Sequence, residues 1–141
     1  MAEKMIDKRE RGYQEFREFL VDFILDLNRS AEDGWTVLVE GRRDEKALRG
    51  LGYAGKAVTV SRLGKRPRGE IRGIKRAIIL TDLDVEGNFL ASKFFKMFRH
   101  EGAETSLGER RRLRAASRGV FLQVENLSRF AKPEGFRWDA T

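Results

Sequence analysis

The segments WTVLVEG, at residues 35–41, and RAIILTDLD, at residues 76–84, decide the fold. In each segment, a short run of aliphatic and β-branched residues leads directly into one or two acidic residues. Short apolar runs that are bounded by turns are typical of strands buried on both faces of a sheet. We therefore expect two core strands that both end in carboxylates.

The surrounding sequence alternates between helical and strand-like segments. The pattern predicts helices over residues 13–28, 43–50, 86–99 and 109–118, and further strands over residues 57–60 and 103–106. This alternation predicts an α/β fold with a mostly parallel, Rossmann-like sheet of four strands flanked by helices and preceded by an extra N-terminal helix.

Two further segments carry weaker signals. Residues 61–69 combine glycine, proline and basic residues, which predicts an exposed loop. Residues 120–124 predict either a last strand or part of a helical tail that runs on through Leu127 and Phe130.

The chain of 141 residues predicts one domain, because no repeat or linker divides it. Within residues 1–141 we expect an N-terminal helical extension over 1–31, an α/β core over 35–105 and a basic C-terminal segment over 106–141. The apolar face of the first helix suits packing on the sheet, on a protein partner or in a homodimer, and the sequence leaves these alternatives open.

Composition excludes several classes of protein. Hydrophobic residues make up 40% of the chain and ten are Phe, which excludes wholesale disorder. The absence of Cys excludes disulfides, thiolate metal sites and a cysteine nucleophile. No apolar run reaches the roughly 20 residues of a membrane span, and the N-terminus lacks the pattern of a secretory signal. We expect a cytoplasmic protein with no membrane partner.

The charge favours an anionic partner. Lys and Arg number 29 against 22 Asp and Glu, so the net charge is +7. Dense ion pairing in a heat-adapted protein would explain the abundance of charge but not its sign. Nucleic acid, either RNA or DNA, is therefore a candidate partner.

Three acidic residues at the predicted strand ends are candidates for a metal site. Asp82 and Asp84 are two apart and so project to the same side of extended backbone, and Glu40 joins them if the two strands are neighbours. Converging carboxylates suit Mg²⁺ or Mn²⁺. Taken singly, each acid is better explained as a helix cap or a solvated residue, whereas the three together favour a metal site. A calcium loop is excluded, because its twelfth position would be Lys93.

At these residues the sequence resembles the Toprim domain, on VEGRRD at 39–44 and IILTDLDVEG at 78–87. The resemblance is closest to small stand-alone archaeal Toprim proteins and covers residues 35–105. It implies that Glu40 acts as general acid/base or metal ligand, and that Asp82 and Asp84 bind Mg²⁺, with Mn²⁺ as a substitute.

The same resemblance implies roles for the neighbouring residues. Gly41 and Gly87 match glycines at structural turns, and Asp44 matches an accessory acid that is also suited to cap a helix. The chain departs from the Toprim pattern at Asn88, where many members carry a further acid.

Two basic groups are candidates for phosphate binding. Arg62, Lys65, Arg66 and Arg68 follow the strand predicted at 57–60, and should therefore lie at the same edge as the acids. A second group lies within residues 110–118, where the alternatives are phosphate binding and a solvated helix face. The solvated face would pair with the acidic stripe of the first helix, which contains Asp26.

The remaining candidates have simpler explanations. Most Phe residues are expected to pack in the interior. Phe89 and Phe94 fall on one side of the helix predicted at 86–99. Neither Tyr13 nor Tyr53 lies in a motif typical of a strand-transfer nucleophile. The sequence therefore disfavours topoisomerase activity for this chain alone. His100 is expected to interact with a helix end.

The resemblance and the charge together imply a Mg²⁺-dependent protein that acts on nucleic acid by phosphodiester cleavage or RNA processing. The alternative is a non-catalytic nucleic-acid-binding module within a larger RNA-processing or repair assembly. A phosphoacceptor receiver is disfavoured, because the acidic pair follows the later strand instead of the first.

Overall fold

A parallel sheet forms the centre of the molecule, in a computed structural model that describes residues 8–63, 67–118 and 123–131. The four strands are β1 (Thr36–Val39), β2 (Ala57–Thr59), β3 (Arg76–Ile79) and β4 (Glu104–Ser106). They are arranged in the order β2-β1-β3-β4, and every neighbouring pair is parallel. The predicted α/β fold is confirmed.

Helices flank the sheet and connect its strands. They are α1 (Lys8–Glu32), α2 (Arg42–Gly50), α3 (Val60–Leu63), α4 (Pro67–Ile71), α5 (Val85–His100), α6 (Gly108–Ser117) and a 3₁₀-helix (Val124–Phe130). None of the helices in the described part of the chain combines the length and apolar character that a membrane crossing requires.

The prediction of an exposed loop over residues 61–69 is wrong in part. The short helices α3 and α4 flank residues 64–66, which lie outside the described residues. Leu63 is fully buried and Ile71 nearly so, both in the core on one face of the sheet. These two apolar side chains fold the segment against the sheet, an effect that Gly and Pro content alone does not reveal.

The two central strands, β1 and β3, are buried on both faces. In β1, Val37 and Val39 contribute to one hydrophobic cluster, and Leu38 contributes to the other. The register places Leu38 between Val58 of β2 and Ile79 of β3. Because successive side chains point to opposite faces, both clusters are built from the same short strands.

Helix α1 packs on its own sheet. Its buried face shares one cluster with the strand residues Val37, Val39 and Ile78. The buried residues of this face are Phe16, Leu20, Phe23, Ile24 and Leu27. Of the alternatives left open by the sequence, the structure therefore shows packing on the sheet.

The C-terminal part of the described chain is helical. Val124 begins the 3₁₀-helix, whereas residues 120–122 of the alternative strand lie outside the described residues. Leu127 and Phe130 are buried in the same cluster as α1. This arrangement matches the helical-tail alternative.

Replacing Phe23 by Ala tests whether α1 is part of the core. Phe23 is fully buried and stacks on Phe19 with ring centres 5.4 Å apart. We expect the substitution to lower the free energy of unfolding by about 3–5 kcal/mol in chemical denaturation. The control Leu25→Ala, on the exposed side of α1, should change it by about 0.5 kcal/mol or less. Equal effects of the two substitutions would contradict the packing described.

Candidate active site at the carboxyl edge of the sheet

The sheet order places the predicted acidic residues at one edge. Chain connectivity runs from β1 outward to β2, and then to β3 on the opposite side of β1. The resulting switch point lies between β1 and β3, where open α/β sheets characteristically bind ligands. Glu40 directly follows β1, and Asp82 and Asp84 follow β3.

Glu40 and Asp82 are in direct contact. The backbone N–H of Asp82 donates a hydrogen bond to Glu40 Oε2 at 2.6 Å. Partial burial raises the pKa of Asp82 to about 7, and the negative charge of Glu40 adds to the increase. A hydrogen bond from the Val124 N–H to Asp82 Oδ1, at 2.7 Å, opposes it. The structure therefore brings together two of the three predicted ligands.

Asp84 is the N-cap of α5. Its backbone is extended, and its Oδ1 accepts a hydrogen bond from the N–H of Gly87 at 2.7 Å. The capping explanation considered for the single acid therefore holds for Asp84. The cap uses one carboxylate oxygen. The other, Oδ2, receives a 3.4 Å contact from Gln123 Nε2.

Gly87 allows α5 to begin against the end of β3. A Cβ at this position would overlap the carbonyl oxygen and carbon of Asp82. The carbonyl of Gly87 also accepts a hydrogen bond from the buried Thr81 hydroxyl at 2.8 Å. The close approach explains sterically why position 87 is glycine.

Gly41 does not meet the same constraint. Its backbone is extended, with φ of −149° and ψ of −178°, which any residue adopts. A Cβ there would lie 3.9 Å from Asp44 Oδ2, an ordinary contact. The fold therefore accommodates other residues at position 41.

Asp44 caps α2, and its pKa is affected by the neighbouring acidic residue Asp82. Its Oδ2 accepts a hydrogen bond from the Gly41 N–H at 2.9 Å. Burial raises the pKa of Asp44 to about 6, with a further increase from the charge of Asp82. Asp44 therefore caps α2 and also interacts electrostatically with Asp82.

Arg110 belongs to the second basic group of the sequence analysis, but it is buried at the candidate site and does not lie on a solvated helix face. Only 8% of it is exposed, and its Nε donates to Thr81 O at 3.0 Å. Its Nη2 donates to Asp82 O and to Asn88 Oδ1. Burial lowers the pKa of Arg110, and nearby Arg114 lowers it further. The missed signal is its helical spacing to the buried residues Leu113 and Ser117.

Asn88 accepts hydrogen bonds from two arginines. Its Oδ1 accepts a hydrogen bond from Arg110 Nη2 at 2.7 Å and another from Arg114 Nη2 at 2.5 Å. The position where the Toprim pattern carries an acid is therefore linked to α6 in this chain. Asn88 helps to fix α6 against the start of α5.

The donor chemistry of the edge fits a hard divalent cation. Glu40, Asp82 and Asp84 offer carboxylate oxygens, which Mg²⁺ prefers. Among the described residues, no three Asp, Glu or His side chains are grouped closely enough to hold a metal ion by themselves. Water and phosphate oxygens commonly complete such a coordination shell.

The predicted basic residues are described only in part. Arg62 lies in α3 just after β2, is exposed, and approaches Glu70 at 3.8 Å. Lys65 and Arg66, together with the side chain of Arg68, lie outside the described residues. In the second group, Arg112 pairs with Asp26 of α1 at 3.1 Å, as the solvated-face alternative predicted.

Comparisons with known proteins identify relatives in sequence and in structure. A UPF0292 protein of Pyrococcus abyssi is 32% identical over 105 residues, covering 72% of this chain and 77% of that protein. A UPF0292 protein of Archaeoglobus fulgidus is 26% identical over 117 residues, covering 83% and 92%. No family model matches the chain.

One solved structure shows the same fold. A putative protein from Aquifex aeolicus superimposes with a TM-score of 0.62 at 23% identity. The match covers 74% of this chain and 94% of that chain.

Substituting Gly87 by Ala should disrupt the start of α5. The added methyl group would meet the Asp82 backbone, which has little room to move. We expect the free energy of unfolding to fall by about 2–3 kcal/mol in denaturant titration. The matched control Gly12→Ala, in α1 with open space around the new Cβ, should raise it by about 0.5–1 kcal/mol. Tolerance of Ala at position 87 would contradict the close approach.

Replacing Asp82 by Asn should stabilise the protein in EDTA. The folded state raises the pKa of Asp82 from 3.8 to about 7, so it binds protons more tightly than the unfolded chain does. Wild-type stability therefore falls relative to the variant as the pH rises from about 4 to about 7. Thermal melts across this range should show the melting-temperature difference growing with pH.

Asp22→Asn, at an exposed acid of α1, is the control and should show no such trend. A difference that shrinks as the pH rises would contradict the electrostatic account of Asp82.

Proposed function

The chain belongs to the UPF0292 family, and we propose that it is a small Toprim-type protein that uses Mg²⁺ to act on nucleic acid. The proposed reaction is phosphodiester cleavage, in the form of nuclease activity or RNA processing. One observation carries the proposal: carboxylates from two adjacent parallel strands meet at the switch point of the sheet.

The raised pKa of Asp82 supports this proposal. Holding the carboxyl groups of Glu40 and Asp82 together has an electrostatic cost, because partial burial and like charge both penalise ionisation of Asp82. Perturbed carboxyl groups of this kind cluster at functional sites. A bound cation would remove the penalty, and this makes a ligand site the better explanation for the arrangement.

Asp82 and Asp84 would hold the metal, and Glu40 would orient or deprotonate the attacking water. Bound there, a divalent cation supplies charge neutralisation of the phosphate and a more acidic water. Glu40 is anchored through Oε2 by the Asp82 N–H, so its carboxylate has a defined position relative to both aspartates. Arg62, with Lys65, Arg66 and Arg68, would bind the phosphate backbone.

Arg110 would act as a positioning residue. Its guanidinium donates to the carbonyl oxygens of Thr81 and Asp82, and so fixes the backbone that carries the aspartates. Among the described residues, Arg110 forms no ion pair with Glu40, Asp82 or Asp84. The aspartate charges thus remain available for a cation.

The second candidate is a non-catalytic nucleic-acid-binding module within a larger RNA-processing or repair assembly. It is favoured by the 3₁₀-helix segment, whose Val124 N–H and Gln123 side chain approach the two aspartates. Donors supplied by the chain partly satisfy these acids. Such a module would bind nucleic acid in a salt-dependent manner and leave it intact.

Incubation with labelled RNA and DNA in Mg²⁺ or Mn²⁺ distinguishes the two candidates. The protein should cleave at least one of these substrates, and EDTA should stop the reaction. Asp82→Asn with Asp84→Asn should abolish cleavage while keeping the hydrogen-bond acceptors of both positions. Glu40→Gln should slow cleavage by about 100-fold or more, because it removes the base but keeps an acceptor for the Asp82 N–H.

Asp22→Asn serves as the control and should cleave at the wild-type rate. Cleavage that persists in the double variant would contradict the mechanism. If the protein binds nucleic acid in a salt-sensitive manner but does not cleave it under any metal condition, the second candidate, a non-catalytic binding module, is the correct function.

A further inference from the structure

Two large apolar side chains are exposed beside the acidic edge. Val85 is 84% exposed and Phe89 is 68% exposed, whereas the sequence predicts that most Phe residues pack in the interior. Phe89 is an exception to this expectation, because α5 turns a different face to the sheet. The buried residues of α5 are Gly87, Ala91, Phe94 and Phe98.

Helical spacing places two lysines on the same exposed face. At about 100° per residue, Val85, Phe89, Lys93 and Lys96 fall within one quarter of the helix surface. Lys93 and Lys96 are exposed, and neither forms an ion pair with another described residue. We call these four residues the α5 track.

The α5 track begins at the candidate active site. Asp84 caps α5, so Val85 is the next residue along the chain. With a rise of about 1.5 Å per residue, Phe89 lies about 6 Å further along the axis and Lys96 about 10 Å beyond Phe89. The order along the helix is therefore carboxylate, apolar platform and cations.

We propose that the α5 track binds a single-stranded segment of nucleic acid, with one base stacked on Phe89 and the following phosphates on Lys93 and Lys96. The proposal rests on the proposed function and adds its substrate class. An aromatic ring binds a base through its flat face, and neighbouring base pairs cover that face in a duplex. The track should therefore select unpaired over paired nucleotides.

A protein partner fits the α5 track less well. A stable protein interface buries about 1,200–2,000 Å², and its core is depleted in lysine. The track offers two apolar side chains followed by two lysines, which matches the size of one base and the charge of a phosphate backbone. The net charge of +7 is complementary to the same ligand.

Nothing in the described part of the chain accounts for Phe at position 89. The side chain is mostly exposed, and Ala has the higher helix propensity. Phe89→Ala should therefore leave the protein folded, which makes the substitution a clean test of binding.

Binding is measured in EDTA by fluorescence anisotropy with labelled single-stranded and hairpin oligonucleotides, of both RNA and DNA. Wild-type protein should prefer the single strands, and Phe89→Ala should weaken that binding by about tenfold. Leu25→Ala, at an exposed residue of α1, is the matched control and should bind as wild type. On an abasic oligonucleotide, Phe89→Ala and wild type should bind equally.

The lysines are tested by the salt dependence of binding. Replacing Lys93 and Lys96 together by Gln should lower the slope of log K against log salt by about 1.4, from two lost phosphate contacts. Lys75→Gln, at the opposite edge of the sheet just before β3, should leave the slope unchanged.

Equal binding of hairpin and single strand, or wild-type affinity in Phe89→Ala, would overturn the proposal. The proposal would also be overturned if Phe89→Ala bound oligonucleotides as tightly as wild type but lost self-association. That outcome would identify the α5 track as a protein interface. Because every measurement is made in EDTA, a failure to cleave nucleic acid overturns the proposed reaction and not the track.

Discussion

The hydrogen bond from the Asp82 N–H to the Glu40 carboxylate joins the two strand ends on which the candidate site is built. Backbone pairing between β3 and β1 extends to Leu80, whose N–H donates to Leu38 O at 2.8 Å. Beyond that point the Glu40 side chain takes the place of a backbone acceptor. The chain thereby satisfies a polar group at the sheet edge and holds two carboxyl groups in contact, at an electrostatic cost.

Several long-range contacts make this costly arrangement possible. Arg110 of α6 binds the carbonyls of Thr81 and Asp82, and Gly87 lets α5 begin directly against the same backbone. Val124, from the end of the described chain, donates to Asp82. Elements that are far apart in sequence therefore converge on one turn and hold the candidate site in place.

The sequence predicted the sheet, its main helices and the meeting of Glu40 with Asp82, because these depend on apolar runs and on the geometry of parallel strands. It could not assign the direction of individual side chains on charged or apolar helices. Arg110 turns inward and donates to the carbonyl oxygen of Thr81, whereas Phe89 lies on a different face of α5 from the buried Phe94 and Phe98. The helices α3 and α4 likewise depend on tertiary burial of Leu63 and Ile71, which local composition does not encode.

The central claim is that the carboxylates at this edge form a divalent-cation site. A crystal soaked in Mn²⁺ and measured at the manganese absorption edge tests it most directly. The account predicts an anomalous difference peak bonded to oxygen atoms of Asp82 and Asp84, next to Glu40. Ordered carboxylates with no peak between them at saturating Mn²⁺ would contradict it.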